Sequence, residues 1–185
     1  GKTDHAIEIT TFRSEQGYSD RRRPDEVVFE ENLEKDLARR DFTINAIAIR
    51  PKTTETIDLF GGQKDIKQKI VRSVGEPSDR FKEDALRMIR AIRFACQLGF
   101  EIEPKTQRAI TKLAGAIKFI ANERIKDELI KIISSDLDYE GIMLLHETKL
   151  LQYILPELER GIDVKQDRHH IYTVFKHSVL ALKHC

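Results

Sequence analysis

Four charged residues in one short stretch of the chain have the types and spacing to bind a nucleotide. Asp84 stands three residues before Arg87, and Arg90 and Arg93 follow at the same interval. The planar fork of an arginine suits phosphate oxygens and base edges, whereas a carboxylate accepts hydrogen bonds. Asp84 and Arg87 could therefore present an acceptor and donors side by side to the Watson-Crick edge of a base. The alternative is an ordinary surface helix whose charges form salt bridges.

The segment Asp36 to Asn45, DLARRDFTIN, holds a second set of such residues just before an apolar strand. Arg40 is a fixed cation that could bind a phosphate, and Asp41 is an acceptor that could bind a sugar hydroxyl. The alternative is a helix C-terminus that the arginines cap. The residues alone leave both interpretations open.

The first set is positioned by a predicted helix, Asp79 to Leu98, which Gly99 ends. At about 100° of rotation per residue, its apolar side chains fall in one arc about 120° wide, which predicts a face that packs on the core. Asp84 borders this face, and the other charged residues occupy most of the opposite side, which predicts that they are exposed. The apolar face consists of Phe81, Ala85, Met88, Ile89, Ile92, Ala95 and Cys96.

The first 75 residues predict short strands and helices, and the rest of the chain is predicted to be mostly helical. Arg13 to Glu26 is polar and rich in arginine, so we expect a mobile loop whose Arg21, Arg22 and Arg23 are either solvated or in contact with phosphate. The predicted strands are Ala6–Phe12, Ile44–Arg50, Thr56–Leu59 and Ile70–Val74. The other predicted helices are 32–39, 63–69, 104–119, 122–135, 139–146 and 150–153, with one more from about residue 172.

The composition is that of a globular chain without a membrane span. Its 185 residues are 40% hydrophobic and 34% charged, and the net charge of +1 means that any nucleic-acid partner must be met by a local basic patch. Cys96 and Cys185 are too few for a disulfide framework or a zinc cluster, which favours the cytoplasm. Because the chain starts on a predicted strand and stops within an amphipathic pattern, we expect it to be a segment of a longer protein.

Four stretches in order resemble one enzyme family. They are RRDFTINAIAI, IDLFGGQKDI, IVRSVGEPSDRFKEDALRMIRAIRFACQLGF and NERIKDELIKII. Together they are similar to the class II tRNA nucleotidyltransferases, the CCA-adding enzymes, and to their bacterial poly(A) polymerase relatives. The resemblance runs from about Ile7 to the end of the chain. It implies an α+β fold, with part of a polymerase-beta-like mixed-sheet head, a helical neck and the start of a helical body.

The resemblance assigns roles to the two sets of charged residues. In the family, RRDFTINA contacts the sugar and phosphates of the incoming nucleotide, which implies that Arg40 contacts phosphate and Asp41 lies near the ribose. An EDxxR segment reads the base, which implies that Asp84 and Arg87 pair with cytosine or adenine. The same resemblance implies that Arg90 and Arg93 bind the triphosphate. NERIKDELIKII corresponds to a later helical motif, whose role we interpret as structural support.

The resemblance implies that the family's glycine-rich GGxVRD and metal-binding DxD segments lie on strands upstream of the point where this chain starts. Their carboxylates hold the Mg²⁺ ions that activate the tRNA 3′-hydroxyl, so the metal would be bound by residues upstream of this chain. We therefore expect no metal site and no catalytic residue in residues 1–185, and no extension of RNA by this segment alone. Glu8 could support an acidic site, although a lone glutamate on a strand is more typical of an exposed position.

Three histidines close to the end of the chain, His169, His170 and His177, belong to a stretch that is similar to the opening of HD-type phosphohydrolase domains. Metal binding in those domains needs a downstream His-Asp pair, which this sequence lacks. The histidines are therefore interpreted as part of a neighbouring module or as helix-surface residues.

The resemblance thus implies three parts: residues 1–75 as the end of a head, 76–135 as a neck with the nucleotide-reading helix, and 136–185 as the start of a body or an HD-like region. The resemblance implies template-independent addition of CMP, AMP or both from CTP and ATP to the 3′ end of tRNA, with Mg²⁺, and the sequence leaves open whether CCA, only CC or only A is added. The alternatives are a poly(A) polymerase and a non-catalytic module that binds nucleotides or RNA. CTP, ATP and tRNA are the expected partners, and no membrane is expected.

Overall fold

The strands are short and pair two by two. The structure, a computed structural model, describes residues 13–16, 26–29, 32–165 and 171–182. Within these ranges β1 (Arg13–Gln16) pairs with β2 (Glu26–Phe29) and β3 (Ile47–Ile49) with β4 (Thr56–Asp58), both antiparallel. β5 (Ile70–Val71) runs parallel to β6 (Glu101–Ile102).

Helices make up most of the rest of the described chain. The first five are α1 (Leu33–Ala38), α2 (Gly62–Gln68), α3 (Pro77–Glu83), α4 (Leu86–Leu98) and α5 (Pro104–Leu113). They are followed by α6 (Asn122–Ile133), α7 (Asp138–Glu147), α8 (Leu151–Ile154), α9 (Pro156–Glu159) and α10 (Val174–Leu182). Two 3-10 helices cover Thr43–Asn45 and Ala114–Phe119. Among the described residues, no helix has the length and apolar character needed to cross a membrane.

The structure confirms most predicted elements and corrects several boundaries. The prediction of a loop over Arg13–Glu26 is wrong at both ends, because Arg13–Gln16 is strand β1 and Glu26 begins its partner. The predicted strand Ile44–Arg50 begins as a 3-10 helix and becomes extended only at Ile47. Strand β6 was not predicted. The predicted strand Ala6–Phe12, residues 17–25 of the predicted loop, Glu8, His169 and His170 lie outside the described residues.

The most important correction concerns the helix predicted over Asp79–Leu98, which is two helices. α3 ends at Glu83, Asp84 takes an extended conformation (φ −143°, ψ 106°), and α4 begins at Leu86. The predicted apolar face is nevertheless confirmed, because Phe81 at the end of α3 and Met88 on α4 are both buried in the same core. Gly99 ends α4 in the left-handed conformation (φ 65°), as predicted.

One continuous apolar core joins all three predicted parts. Phe42 and Val71 come from the first part, the α4 face from the second, and Leu145 and Val179 from the third. α4 lies at its centre and packs against α6 and α7. The two charged segments of the chain are therefore held against the same rigid support.

Gly141 of α7 allows the close approach of α7 to α4 and α6. A Cβ atom at this position would overlap Ile132 Cγ2 and lie 2.9 Å from Cys96 Sγ. We expect Gly141→Ala to lower the free energy of unfolding by about 1–3 kcal/mol, because an overpacked core forces its neighbours apart.

Urea unfolding of Gly141→Ala and of the unmodified protein measures this loss in the free energy of unfolding. Gly115→Ala is the matched control, because a Cβ atom there would meet Tyr153 Oη at an ordinary 3.6 Å. Equal stability of Gly141→Ala and the unmodified protein would show that α7 can move away from α4 at no cost.

Candidate functional site

An open cavity of about 740 Å³ lies where the segment after α1, the break between α3 and α4, and the start of α6 meet. We call it the arginine cavity. It brings together five of the six residues predicted to form a site: Arg40, Asp41, Asp84, Arg87 and Arg90. The remaining lining residues are Arg39, Asn45, Leu86, Phe94 and Arg124. Because five arginines and only two aspartates line the cavity, it suits an anionic ligand.

Asp84 occupies the break between α3 and α4, and both of its carboxylate oxygens have partners there. Oδ1 accepts a hydrogen bond from the backbone N–H of Leu86 at 3.0 Å, so Asp84 provides a partner for the first backbone N–H of α4. Oδ2 accepts from Arg124 Nη2 at 2.8 Å. A carboxylate has about four lone-pair sites, so these two bonds leave acceptor capacity for a ligand.

Arg87 is fixed in the first turn of α4 by three partners. Its Nη1 donates to Glu83 Oε2 at 2.6 Å and to the backbone carbonyl of Arg80 at 3.3 Å. Its Nη2 donates to the backbone carbonyl of Arg39 at 3.1 Å. The side chain is only 11% exposed, so its orientation is set before any ligand binds. The guanidinium has more N–H donors than these contacts use.

Arg90 joins the two predicted sets of charged residues directly. Its Nε donates to Asp41 Oδ2 at 2.8 Å, although the two residues are 49 positions apart. Asp41 Oδ1 accepts from its neighbour Phe42 N at 2.9 Å and from Asn45 Nδ2 at 3.0 Å. The guanidinium of Arg90 also lies 5.4 Å from the centre of the Phe94 ring. Asp41 therefore orients Arg90, a role that the sequence did not indicate.

Arg40 and Arg39 share one buried carboxylate, that of Asp36 on α1. Arg40 Nη2 lies 3.1 Å from Asp36 Oδ2, and Arg40 Nη1 donates to the backbone carbonyl of Asn45 at 3.0 Å. Burial by itself raises the pKa of Asp36, but the hydrogen bonds from Arg39 and Arg40 outweigh it and hold the pKa below its ordinary value. Asp36 thus stays ionised and fixes Arg40, whose side chain is 43% exposed toward the cavity.

The segment from Asp41 to Thr43 is held in place by hydrogen bonds to the residues just after β5 and to α2. Thr43 N donates to the Arg72 carbonyl at 2.9 Å, and its hydroxyl donates to Asp65 at 2.7 Å. The backbone carbonyl of Asp41 accepts from Val74 N at 3.0 Å. These bonds fix the backbone from which Arg40 and Asp41 project.

The prediction that Arg93 is exposed is wrong. It is 9% exposed and does not line the arginine cavity. Its Nε lies 3.1 Å from Glu128 Oε2 on α6, an ion pair without the alignment of a hydrogen bond, and its guanidinium lies 4.0 Å from the centre of the Phe94 ring. Burial lowers the pKa of Arg93, and Glu128 opposes that effect. Arg93 therefore ties α4 to α6.

Sequence reasoning missed Arg124, which lines the cavity and binds Asp84 across 40 positions. A signal was present in the sequence. Arg124 lies in the first turn of α6, where the helix dipole disfavours a cation, so its presence there indicates a specific anionic partner. The sequence did not identify that partner.

The carboxylates of the cavity do not fit a magnesium site. Asp41 faces Arg90 and Asp84 faces Arg124, and residues 32–165 and 171–182 contain no group of three or more His, Cys, Asp or Glu that could hold a metal ion. His177 is exposed on α10. The two aspartates of the cavity therefore serve as partners of arginines.

Two family models match the chain. Residues 1–72 match the Poly A polymerase head domain, and residues 99–162 match the probable RNA and SrmB-binding site of polymerase A. Helices α3 and α4 lie between the two matched ranges, and so do Asp84, Arg87 and Arg90.

Curated relatives give a consistent result. The chain is 47% identical over 165 residues to the CCA-adding enzyme of Levilactobacillus brevis, which covers 88% of this chain and 41% of that protein. It is 46% identical over 149 residues to the CCA-adding enzyme of Bacillus subtilis, which covers 80% of this chain and 37% of that protein. The chain thus spans about two fifths of the length of these relatives.

Solved structures show the same similarity in three dimensions. The CCA-adding enzyme of Bacillus stearothermophilus in complex with CTP superposes with a TM-score of 0.73 at 41% identity, over 83% of this chain and 37% of that chain. A tRNA nucleotidyltransferase complexed with a primer tRNA and an incoming ATP analog superposes with a TM-score of 0.64 at 30% identity, over 73% of this chain and 42% of that chain.

Proposed function

Because this chain belongs to the family of CCA-adding tRNA nucleotidyltransferases and poly(A) polymerases, we propose that it is the nucleotide-selecting portion of an enzyme that adds CMP and AMP to the 3′ end of tRNA. CTP and ATP would be the nucleotide substrates, and no nucleic-acid template would be needed. The RNA partner is supported by the match of residues 99–162 to an RNA-binding family model.

The observation that carries the proposal is that the arginine cavity places a fixed acceptor and a fixed donor beside further cations. Asp84 and Arg87 are held at the start of α4 by bonds to protein groups, yet both keep free hydrogen-bonding capacity. Cytosine and adenine each present an amino donor on their pairing edge, whereas uracil and guanine present a carbonyl acceptor there. An acceptor fixed by Asp84 thus selects CTP and ATP, the two nucleotides that CCA synthesis needs.

The remaining cavity residues would bind the rest of the nucleotide. Arg90 and Arg40 lie on the same cavity and would contact the triphosphate, and Asp41 would lie near the ribose while it orients Arg90. These contacts do not depend on the base, so they supply affinity that all nucleotides share. Arg93 has no part in this proposal.

The enzyme would act in the cytoplasm with Mg²⁺, which carboxylates other than those of the arginine cavity would hold. We also propose the division into a head to residue 75, a neck to 135 and a body beyond it. The end of the head-domain match at residue 72 supports the first of these boundaries.

Extension of a tRNA that lacks its terminal CCA tests the proposal. The full-length protein, incubated with this tRNA, CTP, ATP and Mg²⁺, is expected to add two CMP residues and one AMP. A tRNA with an intact CCA end is the control and should not be extended.

Two other outcomes would point to the alternatives. Long tails of AMP with no use of CTP would indicate a poly(A) polymerase, the enzyme after which the head-domain model is named. Binding of CTP and ATP without any extension would indicate a non-catalytic module.

A further inference from the structure

A second cavity, of about 480 Å³, lies on the outer face of α5. Its charged lining residues are all basic: Arg108 and Lys112 on α5, and Lys149 just after α7. The other lining residues are Pro104, Gln107 and Thr111. We call it the α5 cavity. It shares no residue with the arginine cavity, so it is a separate site.

The three cations of the α5 cavity lack the counter-charges found at the arginine cavity. There, Arg87 and Arg90 each have a carboxylate partner. Arg108, Lys112 and Lys149 form no ion pair with any residue in the described ranges, and no acidic residue lines their cavity. Like charges at positions i and i+4 of a helix repel, so Arg108 and Lys112 slightly destabilise α5 unless an anion lies between them.

The backbone at Lys149 gives an independent indication. Lys149 has φ +63°, the left-handed conformation that ends α7 and that glycine adopts with least strain. A lysine there costs about 1 kcal/mol or more relative to glycine. The neighbouring residues hold this turn, since Lys149 N donates to the His146 carbonyl at 2.9 Å and Gln152 Nε2 donates to the Lys149 carbonyl at 3.0 Å. The strained turn brings a third positive charge to the two on α5.

We propose that the α5 cavity binds backbone phosphates of the tRNA substrate. Three cations without counter-ions, close together on an exposed surface, are suited to successive phosphates, and Gln107 and Thr111 supply polar groups for the sugar. The cavity lies within residues 99–162, the part that we propose to contact RNA. This inference rests on the proposed function and adds a site that positions the tRNA away from the incoming nucleotide.

The test is a triple variant of the full-length protein, Arg108→Ala, Lys112→Ala and Lys149→Gly. Glycine is used at position 149 because it fits the left-handed backbone, so the variant should fold. Binding of a tRNA lacking its CCA end is measured by fluorescence anisotropy over a range of KCl concentrations. We expect Kd to rise about tenfold to a hundredfold at ~0.1 M salt, and the slope of log Kobs against log [salt] to become shallower by about 0.7–0.9 for each phosphate that the variant no longer neutralises.

A second triple variant removes the same amount of charge elsewhere. Lys52, Lys64 and Lys67 are exposed and lie outside both cavities, so their replacement by alanine should change the tRNA Kd and the salt slope far less. The affinity of each protein for CTP, measured by calorimetry, should be the same.

Different outcomes separate this inference from the proposed function. If the unmodified protein binds tRNA and CTP and the α5 variant binds tRNA with the same Kd and slope, the inference is wrong and the proposed function stands. Loss of CTP affinity with unchanged tRNA affinity would assign the cavity to free nucleotide phosphates and also overturn it. An unmodified protein that binds neither ligand would overturn both.

Discussion

Replacing Asp84 with alanine in the full-length protein is expected to remove discrimination between CTP and UTP, and between ATP and GTP. The amino group of cytosine or adenine then loses its acceptor, so the correct nucleotides lose the advantage that this bond provides. A hydrogen bond to a charged group contributes roughly 1.5–3 kcal/mol, which corresponds to about ten- to a hundredfold in kcat/KM. The measurement is steady-state kinetics with all four triphosphates.

The structural role of Asp84 must be separated from its role in base selection. The variant also loses the bonds of Asp84 to Leu86 N and to Arg124, and the loss of such a hydrogen bond costs about 1–3 kcal/mol of stability. The ratio of kcat/KM for CTP to that for UTP does not depend on the folded fraction, so it isolates base selection.

Asp84→Asn is the sharper control. Its amide oxygen can still accept from Leu86 N, but the amide nitrogen offers a donor where the carboxylate offered an acceptor. We expect the preference to shift toward UTP and GTP, whose carbonyl oxygens accept from that donor. Unchanged selectivity in both variants would leave Asp84 as a structural partner of Leu86 N and Arg124 and would remove the support for base selection by this residue.

The second large effect is expected for Arg90→Ala, which should lower kcat/KM for all four nucleotides by a similar factor. Arg90 is 31% exposed at the arginine cavity and is oriented by Asp41, so its proposed contact is with phosphate, which every nucleotide carries. The loss of one charge-assisted bond again corresponds to about ten- to a hundredfold. Kinetics with CTP, ATP, UTP and GTP measure it, and Arg90→Lys should recover part of the loss because it restores the charge but not the planar fork.

Arg93→Ala is the matched control, since it removes the same side chain one turn further along α4. Its loss removes one of the two cations that pair with buried Glu128, while Lys131 still donates to Glu128 Oε1 at 3.0 Å, so we expect a stability loss of roughly 1–3 kcal/mol and little change in nucleotide affinity per folded molecule. A nucleotide-dependent effect of Arg90→Ala would show that Arg90 contacts the base. Loss of nucleotide affinity in folded Arg93→Ala would restore the phosphate role first expected for Arg93.

The helix break at Asp84 shows why the sequence indicated five of the residues that line the arginine cavity but not how the backbone positions them. The apolar residues of Asp79–Leu98 keep a helical period, and the core buries them whether the segment is one helix or two. The break depends instead on two specific bonds of the Asp84 carboxylate, a local one from Leu86 N and one from Arg124, 40 positions further along the chain. A periodic pattern carries no information about either bond.

The contacts that complete the site join residues that are distant in the chain. Arg90 meets Asp41 across 49 positions, and Arg87 reaches the Arg39 carbonyl across 48. Residue types indicated which side chains could bind a nucleotide, but pairing across such separations depends on how α1 and α4 pack. For the same reason, the burial of Arg93 could not be predicted, because its charge favours the surface and its contacts with Glu128 on α6 and with the Phe94 ring stabilise it inside the protein.

The continuous core has a consequence for cooperativity. Phe42, which follows Asp41, and Leu145 of α7 belong to the same apolar cluster through the buried face of α4. Any opening that exposes α4 to water must therefore disrupt the supports of Asp41 and of Arg90 together. The segments that line the arginine cavity therefore cannot unfold separately. Amide hydrogens on α4 and around Phe42 should exchange with solvent in one shared unfolding event, at a free energy close to that of global unfolding.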